Sequence, residues 1–148
     1  MPVSRVKVYL AKWSAVYISN ILTICINTAL MLIIGHLLRF PEAVDWRLVL
    51  QYSAYQLVAA FSLVSFQTFV SSVIKNPSVS LAIGFVGVSS CLFFAQSQQL
   101  ARLIPYAHMV LALPDPTIDN AGLLKYGIIF GVIFLAIGVF CFNKKEIY

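Results

Sequence analysis

Residues 13–38 read WSAVYISNILTICINTALMLIIGHLL, a run free of Asp, Glu, Lys and Arg that is closed by Lys12 on one side and Arg39 on the other. A helix rises about 1.5 Å per residue, so roughly 20 apolar residues cross a hydrocarbon core about 30 Å thick. This run is long enough to do so. Three more charge-free runs follow, between Arg47 and Lys75, between Lys75 and Arg102, and between Lys125 and Lys144. The last is the shortest, and Lys125 can snorkel its ammonium to the headgroups while its methylene stem stays apolar. The pattern predicts an all-α integral membrane protein with four transmembrane helices, at about 14–38, 48–73, 78–97 and 123–142.

Composition points the same way, since 61% of the 148 residues are hydrophobic and 10% charged, a balance suited to lipid rather than water as solvent. The first run is about twice the length of a signal-peptide core and lacks a clear small-residue cleavage site, so it is expected to be retained. The net charge of +5 is spread over the ends of the apolar runs instead of forming one patch, which disfavours nucleic acid as a partner and favours a role in topology. Cys25, Cys91 and Cys141 all fall inside charge-free runs, without a CxxC pair or a Cys/His spacing suited to a metal, and read as small apolar fillers.

Four spans put both termini on one side. That side carries Arg5, Lys7, Lys12, Lys75, Lys144 and Lys145, against Arg39, Arg47, Arg102 and Lys125 opposite, so the positive-inside rule predicts cytoplasmic termini in a cell membrane, by expectation a bacterial inner membrane. The connections read as hairpins. In the stretch from Arg39 to Arg47, Asp45 is placed to cap the next helix and Trp46 to sit at headgroup level. In Lys75-Asn76-Pro77-Ser78, Asn76 is the expected N-cap and Pro77 the first helical residue, where its missing N–H costs nothing.

Two segments read as neither spans nor simple loops. Val6, Leu10, Trp13 and Tyr17 recur at helical spacing with Arg5, Lys7 and Lys12 off that stripe, which predicts a basic amphipathic lead-in on the inner surface or a plain topology-setting flank. From Gln98 to Leu113, a face of Leu100, Leu103, Ile104, Ala107, Val110 and Leu111 is interrupted by Pro105 and ended by Pro114-Asp115-Pro116. With Arg102 inside it, 98–113 makes a poor span and is expected to be an outer interfacial or re-entrant helix, followed by a turn through Asp119-Asn120-Ala121-Gly122.

The chemistry is defined largely by what is missing. No charged residue falls in the middle of a run, which disfavours ion-coupled transport by this chain alone. There is no GxxxxGK[ST] loop, HExxH motif or GxSxG elbow, so no catalytic, cofactor-binding or metal residue is assigned and an enzyme is not expected. The polar residues at membrane depth form two stripes: Asn20, Thr23 and Asn27 in the first span, and Tyr52, Gln56 and Gln67, with Ala60 and Leu63, in the second. They fit interhelical hydrogen bonds that hold a bundle together, and they also fit a polar-lined route for an amphipathic substrate. Gly127 and Gly131 form a GxxxG pair, and Gly84 and Gly87 offer small steps in the third run; all four read as close-packing positions. His36 and His108 read as interfacial polar residues.

The string Pro2-Val3-Ser4-Arg5-Val6-Lys7-Val8-Tyr9-Leu10-Ala11-Lys12 resembles the stretch that enters a middle transmembrane helix in type-2 ABC exporter permeases, nearest to the lantibiotic-immunity and bacitracin-type group. In that family a Pro-x-Ser-Arg element with a following Lys comes just after the cytoplasmic loop that touches the ATPase. The order beyond it also looks like the family's last four spans: a hairpin, a third span, short outer helices, a final span and a basic tail, Phe142-Asn143-Lys144-Lys145-Glu146. The resemblance implies an ATP-driven exporter with a separate ABC-type ATPase subunit as partner and Arg5, Lys7 and Lys12 near the coupling surface. Family members carry six spans, so it further implies a fragment, or a missing N-terminal half supplied as a second permease subunit. A rival reading is a non-transporting membrane scaffold or accessory subunit, for which four spans without buried charge are equally suitable.

Overall fold

The computed structural model describes residues 4–39, 43–113 and 120–144. Expectations that fall on Pro2, Val3, Pro114-Asp115-Pro116, Asp119, Lys145 and Glu146 lie outside the described residues. The described chain is helical, with α1 at Arg5–Leu37, α2 at Trp46–Val73, α3 at Pro77–Ser89, α4 at Cys91–Ala95, α5 at Gln98–Leu103, a 3₁₀ turn at Pro105–Ala107, α6 at His108–Leu111 and α7 at Asn120–Lys144. Three of these, α1, α2 and α7, are long and apolar enough to cross a membrane. Large apolar side chains cover the outside, among them Phe85 and Leu81 of α3 at 74% and 73% exposure, which is compatible with a membrane location.

The caps follow local chemistry. Asp45 Oδ1 accepts from the N–H groups of Arg47 and Leu48 at 2.9 and 3.3 Å, and Asn76 Oδ1 accepts from Ser78 N–H at 2.9 Å with Pro77 opening α3. Arg39, with φ at 52°, turns the chain away from the end of α1.

The third charge-free run departs from one helix over 78–97. It forms a 13-residue α3, about 20 Å long, that ends at Ser89-Ser90 before the short α4. Serine hydroxyls compete for backbone groups, and a Ser pair is a weak place to continue a helix. The 98–113 segment also departs from a single helix, breaking into α5, the 3₁₀ turn and α6 around Pro105, which has no N–H for an α-helical bond.

Helix directions come from side-chain contacts. Val58 of α2 lies against Gly127 of α7, Phe61 against Gly131, and the rings of Phe66, edge-on, and Phe69, tilted, lie 4.8 and 5.9 Å from that of Phe134, so α2 and α7 run parallel. Helix α1 runs antiparallel to both: Trp13 Nε1–H donates to Ser65 Oγ at 3.1 Å, Tyr17 O–H to the Leu57 carbonyl at 3.3 Å, and Tyr9 packs on Gly138 and Phe142. Arg5 Nη1 donates to the Asn143 carbonyl at 3.3 Å, which brings both ends of the described chain to one end of the bundle. The N-terminal stretch is therefore continuous with α1, and its inward face is Tyr9, Trp13 and Tyr17 with Leu10 left outside. A separate lead-in helix is not formed.

Because α2 and α7 are parallel, the chain between them must return from one end of the bundle to the other. Helix α3 begins that return beside the C-terminal half of α2, where Gln67 reaches Ser80. The short helices then fold inward. Ala101, Ala107, Leu111 and Ala112 pack with Ala59 of α2 and Leu123 of α7 into the main apolar core, and Asn120 Nδ2 donates to the Leu111 carbonyl at 2.6 Å.

Candidate functional site: a polar junction inside the bundle

The polar side chains that the fold brings together lie where α2, α3 and the 3₁₀ turn meet. Gln67 Nε2–H donates to the Ser80 carbonyl at 2.9 Å, and its Oε1 accepts from Tyr106 O–H at 2.8 Å. The Tyr106 ring covers Gly87 and meets Phe66 edge-on at 5.4 Å, and Phe66 in turn holds Phe134 near the middle of α7. The tip of the short-helix segment thus reaches the last third of α2 and, through Phe66, the middle of α7. A Cβ on Gly87 would collide with the Tyr106 ring, and one on Gly84 would come within 2.9 Å of Gln67 Nε2, so both glycines admit this insertion.

One turn further along, His108 is fully buried. Its Nε2 is 3.1 Å from the Arg102 carbonyl and its Nδ1 is 2.9 Å from Ser62 Oγ. A carbonyl only accepts, so Nε2 carries the proton, and in the neutral ring Nδ1 accepts from the Ser62 hydroxyl. A Ser–His pair can suit acyl transfer, but Ser62 and His108 each have 0% exposure, and the hydrogen bonds of His108 tie the start of α6 to α2 and to α5. The arrangement is a structural tie. His108 is thus buried rather than interfacial, and the one local signal of it is a His three residues after Pro105, followed by the apolar stretch Met109 to Leu113.

Other residues marked in the sequence separate from this junction. Asn20 Nδ2 donates to the Val16 carbonyl and Thr23 Oγ1 to the Ser19 carbonyl, both at 2.9 Å, so these side chains turn back on their own helix. Asn27 is exposed. Tyr52 meets Tyr55 edge-on at 5.7 Å and Gln51 Nε2 donates to the Tyr55 hydroxyl oxygen at 2.8 Å, while Gln56 is half-buried about three turns from Gln67. The second stripe thus contributes Gln67 alone to the buried network. Gly127 and Gly131 lie under Val58 and Phe61, and Gly138, which the sequence reading passed over, lies under Tyr9. His36 is exposed at the far end of α1.

Lys7 and Lys12 are exposed at the end of the bundle where Arg5 meets Asn143, with the Lys12 ammonium 5.9 Å from the Phe142 ring and that of Lys144 4.4 Å from Phe140. Beside the junction, Val79, Ala82, Ile83 and Val86 of α3 face Ile104 and Phe134 across an open apolar groove of about 790 Å³. The three cysteines are free, and no group of His, Cys, Asp or Glu among the described residues could hold a metal ion. Comparisons with family models, curated proteins and solved structures return no match to this chain.

Proposed function

We propose that the chain is a membrane-spanning permease subunit, or part of one, of an ATP-driven ABC exporter that moves an amphipathic substrate such as a peptide antibiotic, a drug or a lipid. The observation that carries this reading is the parallel course of α2 and α7 with short helices folded inward between them. That order supports the hairpin, short helices and final span implied by the N-terminal resemblance, with α3 shorter than the third span it implies. In this reading the fourth crossing is made jointly by α3 and the short helices, which enter from the outer side as a re-entrant element. Such non-helical backbone is tolerated at membrane depth when it is buried in protein, as Pro105, Tyr106 and Ala107 are.

Both termini are then cytoplasmic in a multi-pass cell-membrane protein, and Arg5, Lys7 and Lys12 form the surface that couples to an ABC-type ATPase. The apolar groove takes the hydrophobic part of the substrate, or a membrane lipid, and a second permease subunit supplies the remaining spans. Closure of the ATPase can act on the inner end of α1, whose Tyr9, Trp13 and Tyr17 would carry a tilt into α2 and α7 as a rigid body. The test is affinity purification of the tagged chain from native membranes in mild detergent, with mass spectrometry of bound proteins. Recovery of an ABC-type ATPase is expected, and its reproducible absence from folded preparations would end the transport reading.

A scaffold or accessory subunit is the second reading, and one observation favours it: Asn20, Thr23 and Gln67 each donate to a carbonyl within the chain. An intact particle that lacks any ATPase but retains another membrane protein is the outcome it expects.

A further inference from the structure

Helix α1 is packed through its first half and bare along much of its second. Tyr17 is its last residue to hydrogen-bond α2, and beyond it the half-buried side is Ile24, Thr28 and Leu32. On the neighbouring face, Thr23, Asn27, Leu30 and Ile34 are all exposed and Asn20 is half-exposed. Their spacing alternates three and four residues, Asn20, Thr23, Asn27, Leu30 and Ile34, which is the seam of a two-stranded coiled coil.

Asn27 lies about midway between Lys12 and Arg39, so a spanning α1 holds it near the bilayer centre. Its side-chain amide makes no hydrogen bond among the described residues, and the carbonyl oxygen of Asn20 makes none either. Hydrocarbon offers neither a donor nor an acceptor; an amide N–H can turn back on a carbonyl of its own helix, as that of Asn20 does, but the helix's backbone N–H groups are taken, so the amide oxygen at that depth needs a donor from outside. What covers this face must therefore bring its own hydrogen-bonding group to the level of Asn27.

A second copy of this chain meets that need. Copies inserted in the same direction are related by an axis along the membrane normal, which sets each residue opposite itself at the same depth. An amide both donates and accepts, so Asn27 is its own complement, as is Asn20 one heptad earlier. We infer that Asn20, Thr23, Asn27, Leu30 and Ile34 form a parallel seam through which two copies of this chain pair in the membrane, Asn27 bonding to Asn27. This requires only that α1 spans, and is independent of transport.

The test is a cysteine scan along α1 of the full chain in native membranes, with the other native cysteines replaced by serine and copper phenanthroline as oxidant. N20C, T23C, N27C and L30C should each give a disulfide-linked dimer. I18C, A29C and the native Cys25, on the opposite face, should not. In parallel, energy transfer between two differently labelled copies should show N27L weakening pairing about tenfold, the size expected for two interhelical polar contacts. Linking at 27 to a different polypeptide, no linking at 27, equal linking on both faces, or pairing unaffected by N27L would each overturn the proposal.

Discussion

Replacing Gln67 by leucine tests whether the junction beneath the short helices acts as a unit. The substitution removes the acceptor of the Tyr106 hydroxyl and the donor to the Ser80 carbonyl. Ser80 lies in the first turns of α3, where its carbonyl keeps an acceptor role within the helix, so the main cost falls on Tyr106, which is 6% exposed. A buried hydroxyl left unpaired costs about 1–3 kcal/mol, and polar contacts between membrane helices average about 0.6 kcal/mol, so Q67L should destabilise by about 1–2 kcal/mol. Y106F removes only the donor and should cost about 1 kcal/mol. In the double variant the lost bond is counted once, so the two costs should fall short of additivity by about 0.5–1.5 kcal/mol. The assay is reversible unfolding in mixed micelles for the wild type, both single variants and the double variant. Strict additivity would refute the shared bond as a source of stability and leave the inserted turn held by apolar packing alone.

Four further outcomes are expected. G131L forces a side chain into the Phe61 ring, which is pinned by Trp13 at 5.8 Å and Tyr17 at 5.9 Å, and should destabilise the bundle by about 1–3 kcal/mol in the same assay. H108L removes two hydrogen bonds of a fully buried side chain, to Ser62 and to the Arg102 carbonyl, and should cost about 2 kcal/mol, and a cysteine placed at Ala107 should then become accessible to a thiol reagent. D45A removes two cap bonds and should lower stability by about 1 kcal/mol, with a similar loss for N76A, each read from the unfolding midpoint. The R5E, K7E pair should uncouple ATP hydrolysis from export in reconstituted vesicles if the coupling surface is as proposed, and unchanged coupling would discard that assignment.

Local chemistry made much of this protein legible in advance. The charge-free runs mark α1, α2 and α7 because a span must satisfy its own backbone and keep its charges at the ends. Asp45, Asn76 and Pro77 mark helix starts because capping depends only on neighbouring residues. The junction was half visible: Gln67 stood out as an amide in an apolar helix, but its partners Tyr106 and Ser80 lie 39 and 13 positions away, and nothing local links them.

What the sequence by itself determined is thus the helical class, the places of the three long helices along the chain and the caps at Asp45 and Asn76, all set within a few turns of chain. Only the tertiary structure decided that the third run's first helix stops at Ser89, that Gly138 sits under Tyr9, and that His108 is a buried tie to Ser62. The physical reason is that in a chain apolar on all sides the inward and outward faces of a helix carry the same kinds of residue. The periodic contrast that orients a helix in water is absent, and the choice of face falls to glycine steps, aromatic rings and single hydrogen bonds between distant residues.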